Sequence, residues 1–297
     1  MNLYTHRESN IRKTWILFTG FLVFVVGVGW LFSQVYGSNV ILIVAVTFSV
    51  LMNVLAYWYS DKIVLKMSGA KPVEKANAPE LYNVVENLAI TAGLPMPKVY
   101  LVADASPNAF ATGRDPKHAV VAVTSGLLER LDRSELEGVL AHELGHIGNR
   151  DMLLSTAVVV LVGFVALLSD FFLRSLWYRN MFGGRDNRQG GGAIILIGVV
   201  LAIIAPISAM LIQLAISRKR EFLADASGSM LTRYPEGLAR ALEKISKYSA
   251  PMRSANNAMA HLWISDPHGK KQSMMSKLFM THPPAEERIA RLRDLKV

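Results

Sequence analysis

The sequence predicts an α-helical integral membrane protein with a mainly α globular part and a small antiparallel β-sheet (α+β). Three observations carry this: long uncharged apolar runs, a patterned polar stretch between them, and a capped helix with two histidines one turn apart. Of 297 residues, 52% are hydrophobic and only 19% charged, and the mean hydropathy is +0.29.

The apolar residues are concentrated in four segments. Trp15–Phe32 and Val40–Tyr59 carry no charge, and Leu153–Phe172 and Ala193–Ile216 carry only Asp170. Each reaches the roughly 20 apolar residues a helix needs to cross about 30 Å of hydrocarbon. Trp15, Trp30, Tyr57, Trp58 and Tyr59 lie near the ends, where amphipathic rings favour the interface. The chain therefore divides into an N-terminal transmembrane hairpin (1–60), a first globular part (61–152), a second hydrophobic pair (153–217) and a second globular part (218–297). The second pair either spans the membrane or enters it partly.

Arg7, Arg12 and Lys13 precede the first run, and Lys62, Lys66, Lys71 and Lys75 follow the second. Cytoplasmic flanks hold the basic excess, so the amino terminus and the globular parts face inside. The third-to-fourth connection holds Arg174, Arg179, Arg185 and Arg188, which runs against that rule if both runs span. Membrane flanks account for the net charge of +9. The basic residues are not interleaved with aromatics on one face, so nucleic acid is not an expected partner. With no cysteine, disulfides and thiolate metal sites are excluded.

In the globular stretch, Leu81, Val84, Val85, Leu88 and Ala89 recur at helical spacing up to Gly93. "PKVYLVADASPNAFATG" and "KHAVVAVTSG" read as strands, which predicts the antiparallel sheet. Ser134 with Glu137 three residues on reads as a capping box. It would open a helix through "VLAHELGHIGNRD", placing His142 and His146 on one face.

Imidazoles at i and i+4 can share one zinc ion at about 2.0–2.1 Å. A zinc ion lowers the pKa of water from about 15.7 towards ~7. Glu143 beside it is positioned to take that water's proton, as His-Glu-x-x-His chemistry requires. A catalytic zinc needs a third protein ligand. Downstream candidates are Asp151, Asp170, Glu221, Asp225, His261, His268 and His282. Asp151 lies too close, at the end of the same helix, and Asp170 lies inside an apolar run. Glu221 is the better choice, with Asp225 one turn on free to orient a ligating histidine. The two metal helices would then be direct continuations of membrane helices.

"SPNAFATG", "AHELGHIGNRD", "SRKREFLADASG" and "THPPAEERI", in chain order, resemble the HtpX family of membrane zinc metalloproteases, relatives of the CAAX prenyl proteases. The resemblance covers essentially the whole chain. It implies a zincin-like domain with one Zn2+ per chain held by His142, His146 and Glu221, Glu143 as general base, and Asp225 behind a ligand. It further implies that the "NAF" strand pairs with an extended substrate by β-augmentation. Asn108 and His282 would lie near the scissile carbonyl, and Arg288 would partner Asp225. His6, His118, His261 and His268 match nothing in it.

The implied partners are unfolded membrane proteins as substrates and the lipid bilayer, with oligomeric state unread. The implied setting is the bacterial inner membrane, multi-pass, with the site facing the cytoplasm and a role in envelope quality control and stress response. Two alternatives compete: a non-cleaving scaffold that holds unfolded segments, and a peptidase with one specific substrate. An intact Glu143 argues against the scaffold, because metal binding alone does not need it.

Overall fold

The computed structural model describes residues 3–165, 218–253, 255–256, 258–269 and 283–295. Helices α1 (Leu3–Tyr36) and α2 (Asn39–Trp58) form a hairpin that turns at Gly37, where φ is +62°. Asn53 Nδ2 donates to Phe18 O across it. Glu8–Gln34 and Asn39–Trp58 are long and apolar enough to cross a membrane, in agreement with the first two apolar runs. Trp15, Trp30, Trp58 and Tyr59 stand exposed, available to lipid headgroups.

Helix α3 (Ser60–Ser68) ends at Gly69 in the left-handed region, a common helix stop. After the two-residue strand β1 (Lys71–Pro72), α4 (Pro79–Thr91) buries the five apolar residues the spacing selects. Strands β2 (Lys98–Val102), β3 (Ala109–Thr112) and β4 (Val120–Thr124) complete a sheet of order β1-β2-β4-β3.

The sheet is mixed, which corrects the antiparallel expectation: β2 and β4 pair in parallel, while β1–β2 and β3–β4 are antiparallel. The loop after β2 carries the chain past one strand position, and the β3–β4 hairpin folds back to fill it. Asp104 anchors this loop by accepting from Ser106 N, Gly126 N and Arg253 N. The strands are apolar on both faces. Phe110, Val120 and Ala122 pack with Leu17, Phe21, Leu154 and Trp263, whereas Ala109, Val121 and Val123 pack with Leu140 and Leu144. A sheet covered on both sides reads as continuous apolar sequence.

Helix α5 (Ser125–Arg130) leads into α6 (Arg133–Gly148). The cap of α6 is Asp132 with Glu135, not Ser134 with Glu137. Both pairs fit the capping-box pattern, and packing decides: Lys244 Nζ reaches Glu135 Oε2 at 2.6 Å and Arg240 Nη2 donates to Ser134 Oγ. Helix α7 (Met152–Val165) follows at an 85° bend. The apolar run thus does not prolong the histidine helix directly, a second correction. Its remainder, the third-to-fourth connection and the fourth run lie outside the described residues. Helices α8 (Arg218–Thr232) and α9 (Pro235–Lys247) pack on α6, and α10 (Ala285–Asp294) packs on α9 and α8.

Candidate metal centre

Helix α6 carries His142, Glu143 and His146, all turned inwards; His142 is 1% exposed and Glu143 2%. The 3.6-residue period puts both rings on one side, with centroids 4.7 Å apart. Helix α8 crosses this face at glycine contacts. A Cβ on Gly228 would stand 2.8 Å from His142 N, and one on Gly145 would stand 3.3 Å from Ala224 Cα. That approach brings Glu221 and Asp225, one turn apart on α8, against the two histidines.

Three donor groups converge. His142 Nε2 and His146 Nε2 are 3.1 Å apart, and each lies 3.7 Å from a Glu221 carboxylate oxygen. Tetrahedral ligands at about 2.0–2.1 Å from zinc stand roughly 3.3 Å from one another, so the donor set fits such an ion. It is the His/His/Glu cluster able to hold a metal among the described residues.

Each histidine is oriented from behind by a carboxylate. His142 Nδ1 lies 2.8 Å from Asp225 Oδ1, and His146 Nδ1 lies 3.1 Å from Asp151 Oδ2. In the neutral forms that bind metal, with the Nδ1 protons held there, both Nε2 lone pairs face the same point. Arg288, 2% exposed, grips Asp225 in fork geometry, Nε to Oδ2 at 2.9 Å and Nη2 to Oδ1 at 2.6 Å. Its 3.4–3.5 Å approaches to the His142 ring nitrogens are too long to compete with those bonds.

Charge follows from this packing. With both histidines neutral, as metal ligands must be, Glu143, Asp151, Glu221 and Asp225 face Arg220 and Arg288, an excess of negative charge that a divalent cation offsets. Burial pushes the Glu143 carboxyl up to about 7, with Glu221 and Asp151 adding to it against His146 and Arg288. Burial and Arg288 hold His142 below its ordinary range. For His146, burial opposes charging, but Asp151, Glu221 and Glu143 outweigh it and push it up to about 10. Burial also opposes an ionised Asp225, yet Arg288 and His142 bring it down to about 2.

Of the residues singled out from sequence, His142, Glu143, His146, Glu221, Asp225 and Arg288 come together here. His282 lies outside the described residues. Asn108 is fully buried at the head of β3, its side chain bonded to Ser265 N and O. The β3 edge is not open along its length: Ile264 N donates to Ala109 O at 2.9 Å. His261 is buried and bonded to Ser155 O, and His118 pairs with Asp115. Asp151, which its place at the end of the same helix excludes as a ligand, is instead the partner of His146, a role that spacing does not announce. The glycine contacts have no signature in hydropathy; only Gly in "ADASG" on a helix hinted at close packing.

Comparison with known proteins fits this geometry. Residues 75–296 match the model of peptidase family M48. A protease HtpX homolog of Caldanaerobacter subterraneus subsp. tengcongensis is 48% identical over 99% of this chain and 98% of its own length. One from Tropheryma whipplei is 47% identical with the same coverage. The crystal structure of S. mikatae Ste24p superposes with a TM-score of 0.52 at 21% identity, covering 94% of this chain. This chain spans 66% of the Ste24p chain, and at that identity the likeness concerns the fold. A buried His/His/Glu cluster, two helices apolar enough to cross a membrane and near-half identity along the full length agree: the chain belongs to peptidase family M48, as a membrane metalloprotease of the HtpX type.

Proposed function

We propose that this protein is a zinc-dependent endopeptidase of the bacterial inner membrane that cleaves misfolded or damaged membrane proteins on the cytoplasmic side. The observation that carries it is the convergence of His142, His146 and Glu221 beside a buried glutamate, on a helix that turns into an apolar one. In this reading residues 1–60 anchor the chain, and residues 61–152 and 218–297 form the protease around the apolar pair 153–217.

His142, His146 and Glu221 would hold one zinc ion, which when bound would supply Lewis acidity toward a peptide carbonyl and lower the pKa of a water. Glu143 takes the proton of the attacking water and returns it to the leaving amine. Burial raises the Glu143 carboxyl, which makes it a stronger base than an exposed glutamate. Asp225, held by Arg288, keeps the His142 Nε2 lone pair turned inwards. His282 stabilises the developing oxyanion, and Asn108, its amide held by Ser265, shapes the head of the β3 edge near the scissile carbonyl.

An extended substrate pairs with the β3 edge. Thr124 N bonds Asn108 O, so by alternation Ala109 and Ala111 turn their main-chain groups outwards. Ile264 occupies Ala109 O, so the substrate either displaces it or pairs at Ala111.

The test is cleavage of casein by detergent-purified protein before and after zinc is added to a metal-free preparation, with Glu143→Gln alongside. Zinc-dependent cleavage by wild type and none by the variant supports the reading. Zinc bound by both proteins, with neither cutting, would give a binding role the lead.

A further inference from the structure

Helix α6 closes at Gly148, and the chain does not run on into α7. Arg150 takes φ +57°, in the left-handed region that non-glycine residues seldom enter. That step turns Asp151 back beneath His146. Asp151 N lies 3.4 Å from His146 O, and Asp151 Oδ2 lies 3.1 Å from His146 Nδ1. Asp151 is 3% exposed, so this carboxylate is a built contact and not a surface coincidence.

The same residue begins the next helix. Its carbonyl accepts from Ser155 N, the opening bond of α7. The junction is held from the membrane hairpin too, since Asn10 Nδ2 of α1 donates to Asn149 O at 3.1 Å, both residues being buried. Arg220, buried on α8 beside Glu221, adds positive charge that acts on Asp151 and Glu221 together.

We propose that Asp151 is the positioning residue of His146: it fixes the Nδ1 proton and so aims Nε2 at His142 and Glu221, as Asp225 does for His142. Because Asp151 also starts α7, the aim of this ligand is tied to the point where the chain turns towards the membrane. The inference rests on His142, His146 and Glu221 forming the metal site. Without Asp151 the His146 ring is free to rotate or to expose its other tautomer, and the site loses pre-organisation.

A purely structural role, starting α7, is carried by the main chain and does not need the carboxylate. That separates the two roles by experiment. The full-length chain in detergent, as wild type, Asp151→Asn and Asp151→Ala, is titrated with zinc against a chromophoric chelator. The thermal midpoint of each metal-free protein is measured in parallel. Asn is isosteric and keeps the fold, yet its neutral amide is a weaker acceptor for the Nδ1 proton. The expected result is a zinc dissociation constant raised roughly 10–100-fold in Asp151→Ala. In Asp151→Asn a smaller rise is expected, with a metal-free midpoint close to wild type. Affinities within twofold of wild type in folded Asp151→Asn and Asp151→Ala would overturn the inference. So would a loss in Asp151→Asn that merely tracks a lowered metal-free midpoint. If folded wild type itself takes up no zinc, the metal-site reading fails instead.

Discussion

Gly228 stands against the main chain of His142. A methyl group built on it meets His142 N at 2.8 Å and Ala141 C at 3.0 Å. Both obstacles are backbone in the middle of α6, so neither can move aside as a flexible side chain would. This contact sets how closely α8 approaches α6, and with it the 3.7 Å separations between Glu221 and the two histidines.

Gly228→Ala should therefore push α8 outwards and open the donor triangle. We expect a loss of about 1–3 kcal/mol of stability, the usual effect of overpacking, and weaker zinc binding. Gly148→Ala is the control, because among the described residues a Cβ there meets nothing nearer than Leu94 Cδ1 at 4.0 Å. Thermal unfolding in detergent and a zinc titration of both variants check this; equal behaviour of the two would refute it.

The Arg288–Asp225 pair should behave as a unit. Removing either partner takes from a buried charge its nearest counter-ion, leaving Arg288 with Glu221 at 3.7 Å or Asp225 with His142. Breaking such a pair typically costs about 3–5 kcal/mol. Arg288→Met and Asp225→Asn should each destabilise by that order, and the double variant by clearly less than their total. In wild type the sign is fixed by the depressed Asp225 value. Its contribution is fully present above the unfolded carboxyl value of 3.8 and is lost as pH falls from there towards about 2. Unfolding midpoints across the cycle, read at neutral pH and near pH 3, test both statements. Additive losses would show that the pair is not coupled.

Zinc binding should release a proton. In the metal-free site His146 is raised to about 10 while His142 is held below its ordinary range. At pH 8 the pair then carries one proton, which a ligand must lose to bind metal. We expect about one proton released per zinc, and affinity that falls about tenfold for each pH unit lowered between roughly 9 and 7. Calorimetry in two buffers of different ionisation enthalpy reads the proton count directly. A count of zero would mean that His146 is neutral before the metal arrives.

Glu143 should set the acid limb of the pH profile. Its carboxyl, at about 7 without metal, is a base only when ionised, so activity must fall as pH drops through its value. A bound cation favours the ionised form and moves that limb below the metal-free value. The measurement is kcat/KM for a peptide between pH 5 and 9 at saturating zinc. Activity that rises on acidification would assign the base to another group. Glu143→Gln should remove cleavage at every pH while leaving zinc affinity within a few fold.

By itself the sequence determined whatever depends on local period and length. Runs of 18 and 20 uncharged residues could only be helices in an apolar surround, and α1 and α2 are those helices. The i, i+4 spacing put His142 and His146 on one face, and the same logic paired Glu221 with Asp225 on another helix. Tertiary structure alone decided relations between segments far apart in the chain. A period of two assigns faces to a strand but not the direction of its neighbour, so the parallel β2–β4 pairing was not legible. Two overlapping caps fitted the start of α6, and Lys244 and Arg240, more than 100 residues away, favoured Asp132. Nothing in "GNRD" announces that Arg150 takes a positive φ and returns Asp151 to His146. Local propensity fixes an element and the face it buries; the partner on that face is chosen by packing, which no window of sequence contains.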